Sequence, residues 1–184
     1  TYFNSRGVKN GKRLQTFFTF IKIASLVGLI VLGFMLAAKA EVWNANWENA
    51  WSAKTYVSES QSWLPIGGTV LLSALAAAMV GSLFSSDAWN GVTFISGEIQ
   101  NPKRNVGLSL FLGTFIVTVI YILANLMYLA VMPLEAMAFA PSERVAVVAS
   151  QFIFGETGTY IIAIMIMIST FGCNNGLILA GARV

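Results

Sequence analysis

Four long apolar stretches punctuate the chain, at about 14–38, 66–99, 108–132 and 157–181. The first, third and fourth each hold about 25 residues, enough as α-helix to cross a hydrocarbon core of about 30 Å with some tilt. The second is different. As one rod its roughly 34 residues would reach about 51 Å, too long for a simple crossing. It is also interrupted midway by the run from Gly81 to Gly91, which holds Ser82, Ser85, Ser86, Asp87 and Asn90. Serine, aspartate and asparagine compete with a helix for its own backbone hydrogen bonds, and the flanking glycines loosen the chain further. The pattern predicts a segment that opens near 84–91 and resumes as a half-helix towards Ile99. Asn101-Pro102 ends it, because a residue before proline avoids the α region. An unbroken helix whose polar stripe packs on neighbours is the alternative; the excess length and the mid-span aspartate favour the break.

The stretches between the spans carry weaker patterns. In the loop 39–65, Trp43, Trp47 and Trp51 recur every fourth residue, which predicts an interfacial helix with its indoles on one face. In the loop 133–156, Pro141, Ser142 and Glu143 precede an apolar stripe ending at Phe154, which predicts a short surface helix of structural role.

Composition narrows the class. Hydrophobic residues make up 57% and charged residues 10%, against about 25% charged in soluble domains. A soluble fold of this size cannot bury so much apolar side chain, and a disordered chain would not carry it. The expected fold class is an all-α membrane protein with four transmembrane segments, the second discontinuous. The absence of histidine excludes imidazole catalysis, haem ligation by histidine and histidine-containing zinc sites. A single cysteine, Cys173, allows no internal disulfide, and a net charge of +3 is no nucleic-acid footprint. No cofactor is expected.

The cations assign the sides. Arg6, Lys9, Lys12 and Arg13 precede the first span, Lys103 and Arg104 lie between the second and third, and Arg183 follows the fourth. The opposite loops hold only Lys39, Lys54 and Arg144, together with Glu41, Glu48, Glu59, Glu135, Glu143 and Glu156. The positive-inside rule then puts both ends of the segment in the cytoplasm, in a multi-pass protein of the plasma (inner) membrane, with 39–65 and 133–156 outside. The chain starts without methionine in a basic loop and stops just after the fourth span, so 1–184 reads as a single membrane-embedded fragment of a larger protein.

Ionisable groups at membrane depth are costly and mark function. Lys22 lies about 12 Å along the helix axis from Leu14; it either snorkels to the inner surface or presents a fixed charge to the bundle, where Ser169 or Thr170 would supply a hydroxyl. Asp87 sits in the expected opening, whose bare N–H and C=O groups would be free for a polar solute, as at the discontinuous helices of many transporters. Glu98 and Arg104 would meet at the inner surface, either as solvated charges or as an ion-paired inner gate. In the fourth span, Gly172 and Gly176 form a GxxxG pair suited to close helix approach. Cys173 is expected to be a small packing residue and Asn125 to be inter-helical glue.

Together these features resemble the amino acid–polyamine–organocation superfamily of transporters, nearest to its L-type amino acid transporter branch. The resemblance runs over nearly the whole chain, as the family's helices five to eight. It rests on Lys22; on Phe84-Ser85-Ser86-Asp87-Ala88-Trp89-Asn90 with Glu98, Asn101-Pro102, Arg104 and Asn105; and on Ser169, Thr170, Phe171, Gly172, Asn175 and Gly176. It implies part of a LeuT-type bundle of five-plus-five inverted repeats that moves amino acids by alternating access, as a sodium-independent exchanger or a proton-coupled permease. It implies substrate binding at Phe84, Ser85, Ser86, Asp87, Trp89 and Asn90, with Phe84 as an aromatic gate. Lys22, near Ser169 and Thr170, would replace the sodium ion of sodium-coupled relatives. The sequence departs from the family at Ser85-Ser86, where an alanine and an aromatic are usual, and at Gly97 and Gly107. The family's first broken helix, which receives the substrate carboxylate, is not among these residues, so the partners implied are an amino acid, the bilayer and the rest of the bundle, and the segment alone is not expected to transport.

Other readings weighed on the residues alone are a non-transporting membrane scaffold or subunit, and carriage of a polyamine or other organic cation. An intramembrane enzyme is disfavoured by the lack of histidine and of paired carboxylates at mid-depth.

Overall fold

The protein is described by a computed structural model covering residues 8–57, 62–85, 89, 91–94, 97, 99 and 101–181. Helix α1 (Val8–Leu32) runs on as a π-helical turn, Gly33–Ala37. Helix α2 (Ala40–Trp47) and an antiparallel hairpin of β1 (Lys54–Val57) and β2 (Ser62–Pro65) follow. Helix α3 (Gly68–Ser85), the single turn α4 (Gly91–Phe94) and the long α5 (Pro102–Val131) come next. Helix α6 (Leu134–Ala138), a 3₁₀ turn (Pro141–Glu143), α7 (Val145–Phe154) and α8 (Thr157–Gly181) complete the described chain.

Among the described residues, three helices are long and apolar enough to cross a membrane: Arg13–Ala37, Pro102–Val131 and Thr157–Ile178. They correspond to the first, third and fourth expected spans. The third begins earlier than the apolar count implied. Asn101 adopts a left-handed conformation (φ 50°) and Pro102 opens the helix, where its missing N–H costs nothing; Lys103, Arg104 and Asn105 are thereby drawn into the first turn. The second expected span is helical over Gly68–Ser85 and again over Gly91–Phe94. The opening expected at 84–91 falls largely on residues outside those described.

Helices α1 and α8 lie antiparallel and in contact, and α5 joins them towards the C-terminal end of α1. There Leu29 and Ile30 of α1, Ile120, Met127 and Val131 of α5, and Ile162 of α8 form the core. Close approach depends on Gly33, where a Cβ would lie 2.6 Å from both Cγ and Sδ of Met127 and 3.1 Å from Ile153. The π-turn closes with Ala38 N–H donating to Gly33 O at 3.1 Å, and Lys39 N–H then donates across to Ala130 O at 3.0 Å. By contrast the side chains of α3 are exposed almost throughout, as is the N-terminal half of α5. In a membrane such faces meet lipid or further helices.

The connections after α1 and after α5 are more structured than their sequence suggests. Trp43 and Trp47 share a face of α2 with ring centroids 5.5 Å apart. Trp51 lies past the helix end and is fully exposed, so the expected three-indole face is a pair. Cross-strand partners Tyr56 and Trp63 stack on Phe139, with centroids 5.4, 4.8 and 6.0 Å apart. The stretch after Pro141 is not one surface helix. Ser142 (φ 54°) and Glu143 (φ 59°) break it, and α7 packs its Ala149 and Ser150, both fully buried, against the start of α8. Ser150 Oγ donates to Val147 O at 2.8 Å and to Gly158 O at 3.0 Å.

Candidate functional site

The seam between α1 and α8, two of the helices long and apolar enough to cross a membrane, brings polar groups together. Spacings of three and four residues set both faces: Gln15, Phe18 and Lys22 on α1 meet Phe171, Gly172, Cys173, Asn175 and Gly176 on α8, as expected when two helices present one stripe each. Nearest the start of α1, the buried Asn175 donates through Nδ2 to Gln15 Oε1 at 3.0 Å. Gly176 makes room for that amide, since a Cβ there would sit 3.3 Å from Gln15 Nε2. One turn further along α1 the rings of Phe18 and Phe171 pack at 4.9 Å.

Lys22 is half-buried and comes next. Its ammonium donates to Cys173 Sγ at 3.2 Å. The side chain crosses Gly172, where a Cβ would approach Lys22 Cε at 3.1 Å, Nζ at 3.3 Å and Phe18 Cβ at 2.9 Å. The lysine side chain is laid across the neighbouring helix at Gly172. Ser169 is half-buried and Thr170 exposed, and among the described residues neither is hydrogen-bonded to Lys22. The glycine pair of α8 serves close approach, as the GxxxG spacing implied. Cys173, expected only to fill space, is the acceptor.

The expected substrate residues are spread along the second segment. Phe84 stands at the end of α3, 83% exposed, and Trp89 is 56% exposed. Ser85 is the last residue of α3, its side chain outside the described set; Ser86, Asp87, Asn90 and Glu98 also lie outside it. Arg104 is exposed in the first turn of α5, where its backbone N–H donates to Asn101 O at 3.1 Å. Asn125 bonds Tyr121 O of its own helix at 2.8 Å, so it is not inter-helical glue among the described residues. Sequence reasoning passed over Gln15, whose only signal is an amide inside an apolar run. It also passed over Asn46, which donates to Leu129 O (2.8 Å) and Met132 O (2.9 Å) and accepts from Leu134 N–H (3.1 Å).

Comparison with known proteins gives a family. A family described as amino acid permease matches residues 1–184. The b(0,+)-type amino acid transporter 1 of Oryctolagus cuniculus is 30% identical over 188 residues, covering 100% of this chain and 34% of that protein. The serine/threonine exchanger SteT of Bacillus subtilis is 29% identical over 181 residues, covering 98% and 36%. The human cystine/glutamate transporter is 27% identical over 181 residues, covering 98% and 32%. The chain thus spans about a third of the length of the curated relatives it matches. No solved structure matches.

Proposed function

The chain belongs to the amino acid permease family and is a multi-pass membrane protein, and from that premise we propose that it forms part of a transporter that carries amino acids by alternating access. The observation that carries the proposal is the family match over residues 1–184, joined to relatives named as amino acid transporters and exchangers. The segment contributes helices five to eight of a LeuT-type bundle, and the rest of that bundle completes the site. It lies in the plasma (inner) membrane with both ends of the segment cytoplasmic, as the cation asymmetry of the loops argues.

In this reading the second segment opens around Ser85, Ser86 and Asp87, and its free carbonyls accept hydrogen bonds from the substrate ammonium. Phe84 covers the bound amino acid, while Trp89 and Asn90 shape the pocket. Glu98 and Arg104 close the inner side as an ion pair. Lys22 places a permanent cation on the seam beside Ser169 and Thr170, where sodium-coupled relatives hold Na⁺. Transport therefore needs no sodium and runs as exchange or with protons. A neutral amino acid is the substrate if Asp87 faces away from the pocket; a cationic amino acid or amine is favoured if it faces in.

Uptake of labelled amino acids by proteoliposomes containing the full-length gene product tests the proposal. Uptake or exchange that persists when choline replaces sodium, and that falls in Phe84→Ala and Lys22→Ala, supports it. Absence of both uptake and exchange, with the two variants indistinguishable from the parent, rejects it. Competition by arginine, leucine, serine and putrescine then assigns the substrate class.

A further inference from the structure

We infer that Cys173 is a positioning residue for Lys22, its sulfur holding the ammonium against α8. An ammonium at membrane depth needs acceptors, and among the described residues the Cys173 sulfur, at 3.2 Å, is the one that Lys22 has. The approach is prepared by the chain: Gly172 leaves the space through which Cε and Nζ pass. A hydroxyl would be the stronger acceptor. A thiol is weak and polarizable, so a serine in its place would hold the ammonium at least as well. The register of the two helices is fixed separately, by the Asn175–Gln15 bond and the Phe18–Phe171 pair. Altering Cys173 therefore frees the ammonium without parting the seam. The consequence for transport rests on the function proposed above; the contact itself does not.

Two measurements on the full-length protein separate these. The first is transport by Cys173→Ala, Cys173→Ser, Lys22→Met and the Lys22→Met/Cys173→Ala double variant. Loss of a hydrogen bond to a charged group predicts a fall of about tenfold in maximal rate for Cys173→Ala, with KM unchanged because Cys173 is not among the residues proposed to bind substrate. Cys173→Ser restores the rate, and in the Lys22→Met background Cys173→Ala does nothing further. Parental rates in Cys173→Ala, no rescue by serine, or additive losses in the double variant would overturn the inference. The second measurement needs no transport: labelling of Cys173 by anionic and by cationic methanethiosulfonates, read by peptide mass spectrometry. A neighbouring ammonium favours the anionic reagent several-fold, and Lys22→Met abolishes that preference. A preference unmoved by Lys22→Met overturns the contact. A preference abolished in a parent protein that carries no amino acid supports the contact and rejects the transport reading instead.

Discussion

Asn46 offers a direct test of how the junction of α2, α5 and α6 is held. Its side chain is 9% exposed and makes three hydrogen bonds, to Leu129 O at 2.8 Å, Met132 O at 2.9 Å and from Leu134 N–H at 3.1 Å. These satisfy carbonyls at the end of α5, which have no partner within their own helix, and an amide at the start of α6. Truncation in Asn46→Ala removes all three. At about 1 kcal/mol each the junction loses about 3 kcal/mol, a factor of about 150 in its opening equilibrium. Hydrogen–deuterium exchange of the full-length protein reads this as faster exchange at Leu134 and through α2, with the buried part of α8 unaffected. Asn46→Asp is the sharper control, because it keeps the shape and the bond from Leu134 while turning both donors into acceptors facing carbonyls. If Asn46→Asp exchanges like the parent, the side chain fills space and the hydrogen-bond argument is wrong.

Further predictions concern close packing. In Gly33→Ala the added methyl meets Met127, which has no exposed surface, at 2.6 Å; a loss of about 1–3 kcal/mol is expected from overpacking, seen as a lower thermal midpoint, and shortening the neighbour in Gly33→Ala/Met127→Ala should recover part of it. Gly158→Ala should cost more, because its methyl meets the Ser150 carbonyl of the backbone and no side chain can yield; proteolysis at the α7–α8 turn should rise. Phe139→Ala removes two ring pairs with Tyr56 and Trp63, about 0.5–1.5 kcal/mol each, and should raise amide exchange in β1 and β2 while leaving α5 protected.

What the sequence revealed was what depends on local period and solvent preference. Three crossings follow from apolar length alone, and the GxxxG pair at Gly172 and Gly176 correctly marked a tight helix contact. The apolar count of the third span starts at Leu108, whereas the helix that carries it starts at Pro102, because a left-handed Asn101 before the proline lets it begin among charges. The hairpin at Lys54–Val57 and Ser62–Pro65 went unseen, since four-residue strands carry too little alternation to stand out. Asn46 could not be identified, because its partners are backbone groups 83 to 88 residues away. For Lys22 the sequence offered hydroxyls at Ser169 and Thr170; the packing supplies sulfur from the next turn, a choice made by helix rotation about the seam rather than by residue chemistry.

The account turns on whether the second membrane segment opens to water around Asp87. Single cysteines placed from Ser82 to Gly91 in the full-length protein, probed with a membrane-impermeant thiol reagent with and without amino acid, measure this directly. The account predicts rapid labelling at mid-membrane positions near Ser86 and Asp87, slowed by a transported amino acid. Labelling confined to the ends of the segment, and indifferent to any amino acid, would contradict it.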